Sequence, residues 1–407
     1  MKLLFIADGR SPIALNWIRH FVETGHEVHL VSTSPCSPEL ALASFSVVAM
    51  GTGGVIRRRT SPDKKVAGAK GIHLRNALRH WLGPLMILGA RGTTRRMMSR
   101  LKPDLVHAMR IPLEGMLAAE TVVGGPMVLS VWGNDFTLHA PSSPPMSWLT
   151  RRAVLRAAAI HVDCHRDLRL ARLWGFSAGK PSLVAPGNGG VRREVFFPDD
   201  DRVASAVSRP ETSIRALLDS IPGEAPVVVN PRGFRAYVRN DTFFKAAGLL
   251  KAKRPDVVFL CPGMQGETEA DDWIRRMQLE GSVHTLPALS ADDMAAVFRR
   301  ALISVSPSEH DGTPNTLLEA MACGCFPVAG DLESVREWIE PGANGLLVNP
   351  RDPSQLACAM LQALEDRGLR ARAKEQNLQM IAERADYPSV MRAAEGFYKR
   401  ALEVGGP

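Results

Sequence analysis

Short apolar runs, each followed by a segment of helical period, recur along this chain, and that alternation leaves few folds open. KLLFIA (residues 2–7) precedes SPIALNWIRHFVETGHE (11–27), and VHLVST (28–33) follows; PDLVHAM, PMVLSVWG, LRAAAIHVDC and PSLVAPGN continue the series. Runs without polar alternation are strands buried on both faces, and strands separated by helices pair in parallel through crossovers. In the first helix Ala14, Trp17, Ile18, Phe21 and Val22 share one face, as an inward-looking helix requires. Around residues 198–224 the texture changes to acids and prolines with no strand, after which APVVVNPRG, DTFFKAAGLLKAKRP, DVVFLCPGM, GSVHTLPA, ALISVSPS and FPVAGD restart the pattern. The expected fold class is α/β, with two Rossmann-like, doubly wound parallel sheets facing a central cleft where ligands bind. Residues 1–200 form the first unit, 201–224 an interdomain segment and 225–385 the second unit.

Composition narrows the setting. At 45% apolar and 23% charged residues the chain is globular, and no apolar run approaches the roughly 20 residues of a spanning helix. MKLLFIADG is too short for a signal-peptide core and reads as a buried strand. Six scattered cysteines with neither CxxC nor zinc spacing read as reduced thiols, and nothing suggests a metal centre. The expectation is cytoplasmic placement, with peripheral attachment at the inner face of the membrane. That attachment comes from charge: residues 57–102 hold thirteen Lys/Arg against Asp63 alone, which leaves about −4 of the +8 net charge for the rest. Mixed with Trp81, Leu82, Leu85, Ile87 and Leu88, this basic segment suits an anionic membrane surface. No nucleic-acid signature accompanies it.

The stretch SEHDGTPNTLLEAMACGC (308–325) carries the chemistry. Thr313 is a good N-cap, Pro314 suits a first helical position, and Gly324 a helix stop. The amides of Asn315, Thr316 and Leu317 then lack intrahelical acceptors and form an anion site. Asp311 lies just before this helix start and Glu319 one to two turns in. Carboxylates repel phosphate but accept hydrogen bonds from sugar hydroxyls. An anion-binding helix start flanked by two such acceptors fits a sugar nucleotide.

DGTPNTLLEAMACGCFPVAGD, followed by EWIEPGANGLLV, resembles the signature of glycosyltransferase family 4, retaining enzymes of the GT-B fold, in order and spacing. PDLVHAMRIPLEG and GNGGVRREVFFP look like that family's amino-terminal, acceptor-side domain, and residues 386–407 like the helix that packs back on it. The resemblance assigns Glu319 to the ribose hydroxyls and Asp311 to the transferred sugar, with Asp standing where the family has Glu. The amides of residues 315–317 would hold the distal phosphate, with Gly312, Thr313 and Pro314 also donor-binding. In NPRGFRAYVRND (230–241), Arg232 matches the family's diphosphate-binding Arg. The family's Lys has no counterpart at its spacing, so Arg239 is taken for that role, with Arg235 in reserve. In ADGRSP, Gly9 is the remnant of a glycine-rich loop on the donor phosphates, with Arg10 and Ser11 toward the acceptor. His107 ends the strand in VHAMR and is placed on the acceptor side. In VLSVWGNDF, Trp132 occupies the slot of a His found in some members, leaving Asp135, and after it His139, to serve the acceptor hydroxyl.

The implied reaction moves a sugar from a nucleoside diphosphate to a hydroxyl acceptor with retained configuration, in cell-surface glycan or glycolipid assembly. Arg232, Arg239, Asp311 and Asp135 are the expected catalytic residues. Cations and a helix dipole can stabilise the departing diphosphate, so neither metal nor cofactor is expected. A nucleotide-sugar epimerase, or a sugar-nucleotide-binding protein without catalysis, is the alternative. A phosphorylase is disfavoured, because no pyridoxal-phosphate lysine site is visible.

Overall fold

The structure, a computed structural model, describes residues 1–48, 50, 86–199 and 212–404. Residues 57–85, most of the basic segment, lie outside the described residues. The chain divides into two compact units, Met1–Gly189 with Val390–Pro407, and Gly190–Ser389. No helix of the described residues is long and apolar enough to cross a membrane. All six cysteines are free thiols.

The first unit alternates β1 (Lys2–Ala7), α1 (Pro12–Glu23), β2 (Glu27–Ser32), β3 (Ser44–Val47), α2 (86–101) and β4 (Leu105–Ala108). It continues with α3 (Met116–Thr121), β5 (Met127–Val131), α4 (Pro144–Arg156), β6 (Ala159–Val162), α5 (His165–Leu173) and β7 (Ser182–Val184). The seven strands are all parallel in the order β3-β2-β1-β4-β5-β6-β7. Strand periodicity sorts the side chains onto two faces. Leu4, Ile6, Val106, Ala108, Leu129 and Val131 join a core with α3 and α4. Phe5 packs instead on Phe21 of α1 and on His107.

The second unit runs α6 (Thr212–Ser220), β8 (Val227–Val229), α7 (Asn240–Lys253), β9 (Val258–Pro262), α8 (Thr268–Arg276) and β10 (Val283–Leu286). It goes on with α9 (Ala291–Arg300), β11 (Ile303–Ser306), α10 (Asn315–Ala322), β12 (Phe326–Gly330), β13 (Leu346–Val348), α11 (Pro353–Glu365) and α12 (Arg367–Arg384). Its six parallel strands are ordered β10-β9-β8-β11-β12-β13. Val227 and Val229 of β8 enter one core with α9 and α10, whereas Val228 enters the other with Phe243 and Phe244 of α7. The helices after β8 and β11 therefore leave on opposite faces. This reversal between adjacent strands is a topological switch point, and in open α/β sheets ligands bind beyond the carboxyl ends of such strands.

The last helix, α13 (Tyr387–Val404), belongs to the first unit from Val390 onward. A buried polar chain fastens it there. Trp17 Nε1 lies 2.9 Å from the Tyr398 hydroxyl, which is 2.5 Å from His107 Nδ1. His107 Nε2 reaches Ser130 Oγ at 2.8 Å, and that oxygen is 2.8 Å from His161 Nδ1. His161 Nε2 ends the chain on the Ala185 carbonyl at 3.1 Å. A carbonyl only accepts, so His161 Nε2 carries the proton and its Nδ1 accepts from Ser130. Ser130 then accepts from His107 Nε2, and Tyr398 donates to His107 Nδ1 while accepting from Trp17. Every link has one consistent direction, and both rings are neutral. Burial pushes His161 down to about 4 and, with His161 beside it, holds His107 well below the usual histidine range. His107 is thus a link in the interior.

Tyr398→Phe removes the donor to His107 and the acceptor for Trp17 while keeping the ring that stacks on Phe21 at 4.6 Å. We expect a loss of about 1–3 kcal/mol in chemical denaturation. A variant as stable as the parent would show that the chain contributes nothing.

Candidate active site

The carboxyl ends of β8 and β11 carry the two polar stretches singled out in the sequence. After β8 the chain turns sharply. Asn230 Oδ1 accepts from the Arg232 amide at 3.3 Å, an Asx turn, and Asn240 Nδ2 donates to the Gly233 carbonyl at 3.2 Å. Both asparagines are buried, and this bracket aims Arg232 across the switch point. After β11, the loop is held from below by β12: a Cβ on Gly330 would lie 2.3 Å from the Ser308 carbonyl, so only glycine allows the strand so close. Ser334 Oγ donates to the Asp311 carbonyl at 2.8 Å, fixing the loop from its other side.

These two loops meet. Arg232 Nη2 is 2.5 Å from Asp311 Oδ2, and Arg232 Nη1 is 3.4 Å from Thr316 Oγ1. Arg232 Nε is buried and has no partner among the described residues. The helix α10 begins at Asn315, one residue later than its sequence pattern predicts, with Pro314 as N-cap and no side-chain cap. The reason is tertiary. Thr313 Oγ1 accepts from the Trp338 indole at 3.0 Å and so does not turn to the helix. The Leu317 amide closes a tight first turn on the Pro314 carbonyl at 3.0 Å, which leaves the Asn315 and Thr316 amides as the open donors. The buried Asn315 Oδ1 is also without a partner among the described residues. Gly312 and Pro314 are buried in the loop that carries these groups.

Glu319, one turn further along α10, is half-buried. Desolvation pushes its carboxyl up to about 7, against the pull of Arg192 and Arg232. Arg239 takes a different course. Its backbone is left-handed, its Nε and Nη2 grip both oxygens of Asp241 at 2.9 Å, and its Nη1 meets Glu309 at 2.5 Å. Arg351 shares Glu309 at 2.5 Å. Arg239 is therefore committed to carboxylates, and Arg235 is exposed with its guanidinium on the Tyr237 hydroxyl at 3.2 Å. Arg232, Asp311 and Thr316 are brought together; Arg239 and Arg235 do not join them.

The first unit has its own switch point, between β1 and β4. Gly9 sits where a Cβ would lie 2.5 Å from Cys36 Sγ, and its amide donates to Ser32 Oγ at 3.0 Å. Arg10 is exposed and doubly bonded to Asp8, while Ser11 caps α1 by accepting from the Ala14 amide at 3.3 Å. Asp135 has no exposed surface. It accepts from Arg110 Nε at 2.9 Å and from the amides of Ile111 and Trp132 at 3.1 Å each. His139 Nε2 accepts from Arg110 Nη2 at 2.9 Å, and the Arg110 guanidinium lies over the Trp132 ring. Asp135 and His139 thus serve to position Arg110, a charged group that no local sequence pattern singles out. Glu114, also missed, is buried beyond β4, accepts from Thr33 Oγ1 at 2.5 Å and is pushed up to about 7 by burial. Its predecessor Leu113 has φ +71°, ψ −62°, a strained backbone that turns Glu114 inward. The only usable signal was position, at the end of a central strand.

One group among the described residues has metal-ligand character, Asp163, Cys164 and Asp167. Arg166 already supplies its positive charge, at 2.8 Å from Asp167, and burial pushes the Cys164 thiol up, away from thiolate.

Comparison with known proteins agrees with this anatomy. The family description "Glycosyl transferases group 1" matches residues 219–380, and "Glycosyl transferase 4-like domain" matches residues 9–187. A D-inositol 3-phosphate glycosyltransferase of Corynebacterium kroppenstedtii is 28% identical over 218 residues, 52% of this chain and 46% of that one. The chain thus spans about half the length of the first curated relatives it matches. Sucrose-phosphate synthase from Thermosynechococcus elongatus superposes with TM-score 0.73 at 15% identity, covering 99% of this chain and 100% of that one. Anabaena HepE, solved with UDP-glucose, gives 0.70 at 14%, covering 98% and 100%. At these identities the structures speak for the fold.

The raised Glu319 carboxyl carries a stability consequence. Its folded value near 7 exceeds the ordinary 4.5, so the folded state resists ionisation and loses stability as pH rises from about 4.5 to 7. Glu319→Gln should be more stable than the parent at pH 8 by ~1–3 kcal/mol, with the gap closing at pH 5. Equal stabilities at both pH values in chemical denaturation would contradict the desolvated site.

Proposed function

This chain belongs to the group 1 glycosyltransferases of family 4, with the GT-B fold, and from that premise we propose that it is a retaining hexosyltransferase using a nucleoside diphosphate sugar. The observation that carries the reading is the meeting of Arg232 with Asp311 and Thr316 at the open amides of α10. Departure of a nucleoside diphosphate places negative charge on its distal phosphate. Amides fixed at a helix start and a guanidinium held by a backbone bracket stabilise that charge without having to reorganise.

In the ligand-free protein Arg232 is neutralised by Asp311. A diphosphate arriving at α10 competes for the guanidinium and repels the Asp311 carboxylate, which then turns to the hydroxyls of the sugar. Glu319 accepts the ribose hydroxyls. The same-face attack that retains configuration leaves the donor's own phosphate oxygen to take the proton of the incoming hydroxyl. The acceptor is a glycan or lipid-linked hydroxyl, met by the first unit. The UDP-glucose bound by HepE and the inositol phosphate in the name of the Corynebacterium relative support a nucleotide donor and a polyol acceptor. Positive potential comes from the protein itself, so catalysis needs no metal.

Four measurements test this. In a thermal-shift screen of nucleoside diphosphate sugars one donor stabilises the protein, and with an acceptor it releases nucleoside diphosphate. Arg232→Ala should lower kcat/KM by about 10²–10³, the cost of removing one preorganised charge-stabilising donor; a loss under threefold would remove Arg232 from the mechanism. Donor affinity should rise about tenfold from pH 6 to pH 8, because the ribose needs the Glu319 carboxylate and its ionised fraction grows by that factor around 7. Glu319→Gln should flatten that profile. Turnover in excess EDTA should match turnover without it, and abolition by EDTA would overturn the metal-free reading.

A further inference from the structure

The face of α4 turned to solvent is not an ordinary polar one. Met146, Leu149, Ala153 and Val154 line its buried side. On the opposite side Trp148 is 61% exposed and Leu155, two turns on, 49% exposed. Arg151 stands between them, and the Arg152 guanidinium lies over the Trp148 ring at 5.5 Å. Trp148, Arg151, Arg152, Leu155 and Arg156 line one shallow hollow; Trp148, Arg151 and Trp174 share the next. Leu173, beside Trp174, is 75% exposed.

Basic groups outnumber acidic ones around these side chains. Arg151 has no carboxylate partner among the described residues, Arg156 is braced on the Val122 carbonyl at 3.1 Å, and Lys180 on the Ala157 carbonyl at 2.7 Å. Glu120 is the one carboxylate that the structure records against this surface, and Arg152 and Arg91 both hold it. The sequence of α4, PPMSWLTRRAVLR, contains no acid.

We propose that this face of the first unit docks on an anionic phospholipid surface, with Trp148 and Leu155 at the boundary of headgroups and acyl chains and the arginines on lipid phosphates. The arginines, with no acid in α4, complement a surface of uniform negative charge, as an anionic headgroup layer presents. Indole and leucine side chains with snorkelling arginines match the layered polarity of a bilayer edge. The surface lies on described residues and does not depend on residues 57–85. It is also independent of the donor site in the second unit, so either reading can fail without the other.

The test is co-sedimentation of the whole chain with vesicles of phosphatidylglycerol and phosphatidylcholine, against phosphatidylcholine alone. Binding to the anionic vesicles should be at least about tenfold tighter and should weaken in high salt. Trp148→Ala combined with Arg151→Glu should lose at least about tenfold in binding, while keeping the parent's donor-induced thermal shift. Should the double variant misfold, Arg151→Glu alone carries the test, since that side chain is exposed and unpaired. The proposal is overturned if the parent does not sediment with anionic vesicles, binds both compositions equally, or is matched by the variant. It is also overturned if the parent self-associates without lipid through this face, seen as a dimer that the variant abolishes.

Discussion

The ion pair between Arg232 and Asp311 is the interaction around which the second unit's site is organised. Each partner is delivered by its own supports: Asn230 and Asn240 shape the turn after β8, while Ser334 and the bare backbone of Gly330 shape the loop after β11. The pair is nearly enclosed, with the two side chains 10% and 16% exposed. A guanidinium that far from water needs an anion, and removing its partner leaves an uncompensated charge. Asp311 supplies the anion in the resting protein, so the site is electrically quiet until a ligand of greater charge arrives. Arg232 Nε and Asn315 Oδ1, without partners among the described residues, mark where that quiet state is unfinished.

The first unit, built on the same topology, handles its polar groups differently. Behind its sheet, a tyrosine, two histidines, a serine and a tryptophan satisfy one another in a single proton direction, with no charge. At its switch point Asp135 is spent entirely on Arg110 and two amides. Nearby, the strained and desolvated Glu114 accepts from Thr33. The charge that reaches outward lies on the surface of α4. One repeated fold thus supports a nearly enclosed ion pair in one unit and an uncharged interior with a basic exterior in the other.

The alternation of apolar runs and helices was legible because burial on both sheet faces forces it, and the described strands follow those runs except the edge strands β3 and β13, which are too short or too little apolar to stand out. Arg232 and the DGTPN stretch were legible because their local chemistry is unusual and the topology places both at one switch point. Other features depended on distant partners. Thr313 looks like a cap until Trp338, 25 residues on, takes its hydroxyl. Asp135 looks reactive in WGNDF, yet Arg110, at the end of a different strand, claims it. Arg239 looks like a phosphate ligand until Asp241 and Glu309 occupy its guanidinium. Residues 212–220 carry no strand pattern and look like a linker, yet they form α6 and bury Ile214 in the second unit's core. In each case the missing information was a tertiary partner, which no local pattern contains.

The most direct test of the central claim is a structure of the protein with its nucleoside diphosphate sugar bound. Diphosphate oxygens should lie within about 3 Å of the Arg232 guanidinium and of the Asn315 and Thr316 amides, with Asp311 released from Arg232 and turned to the sugar. A diphosphate lodged away from the start of α10, with the Arg232–Asp311 pair intact, would contradict it.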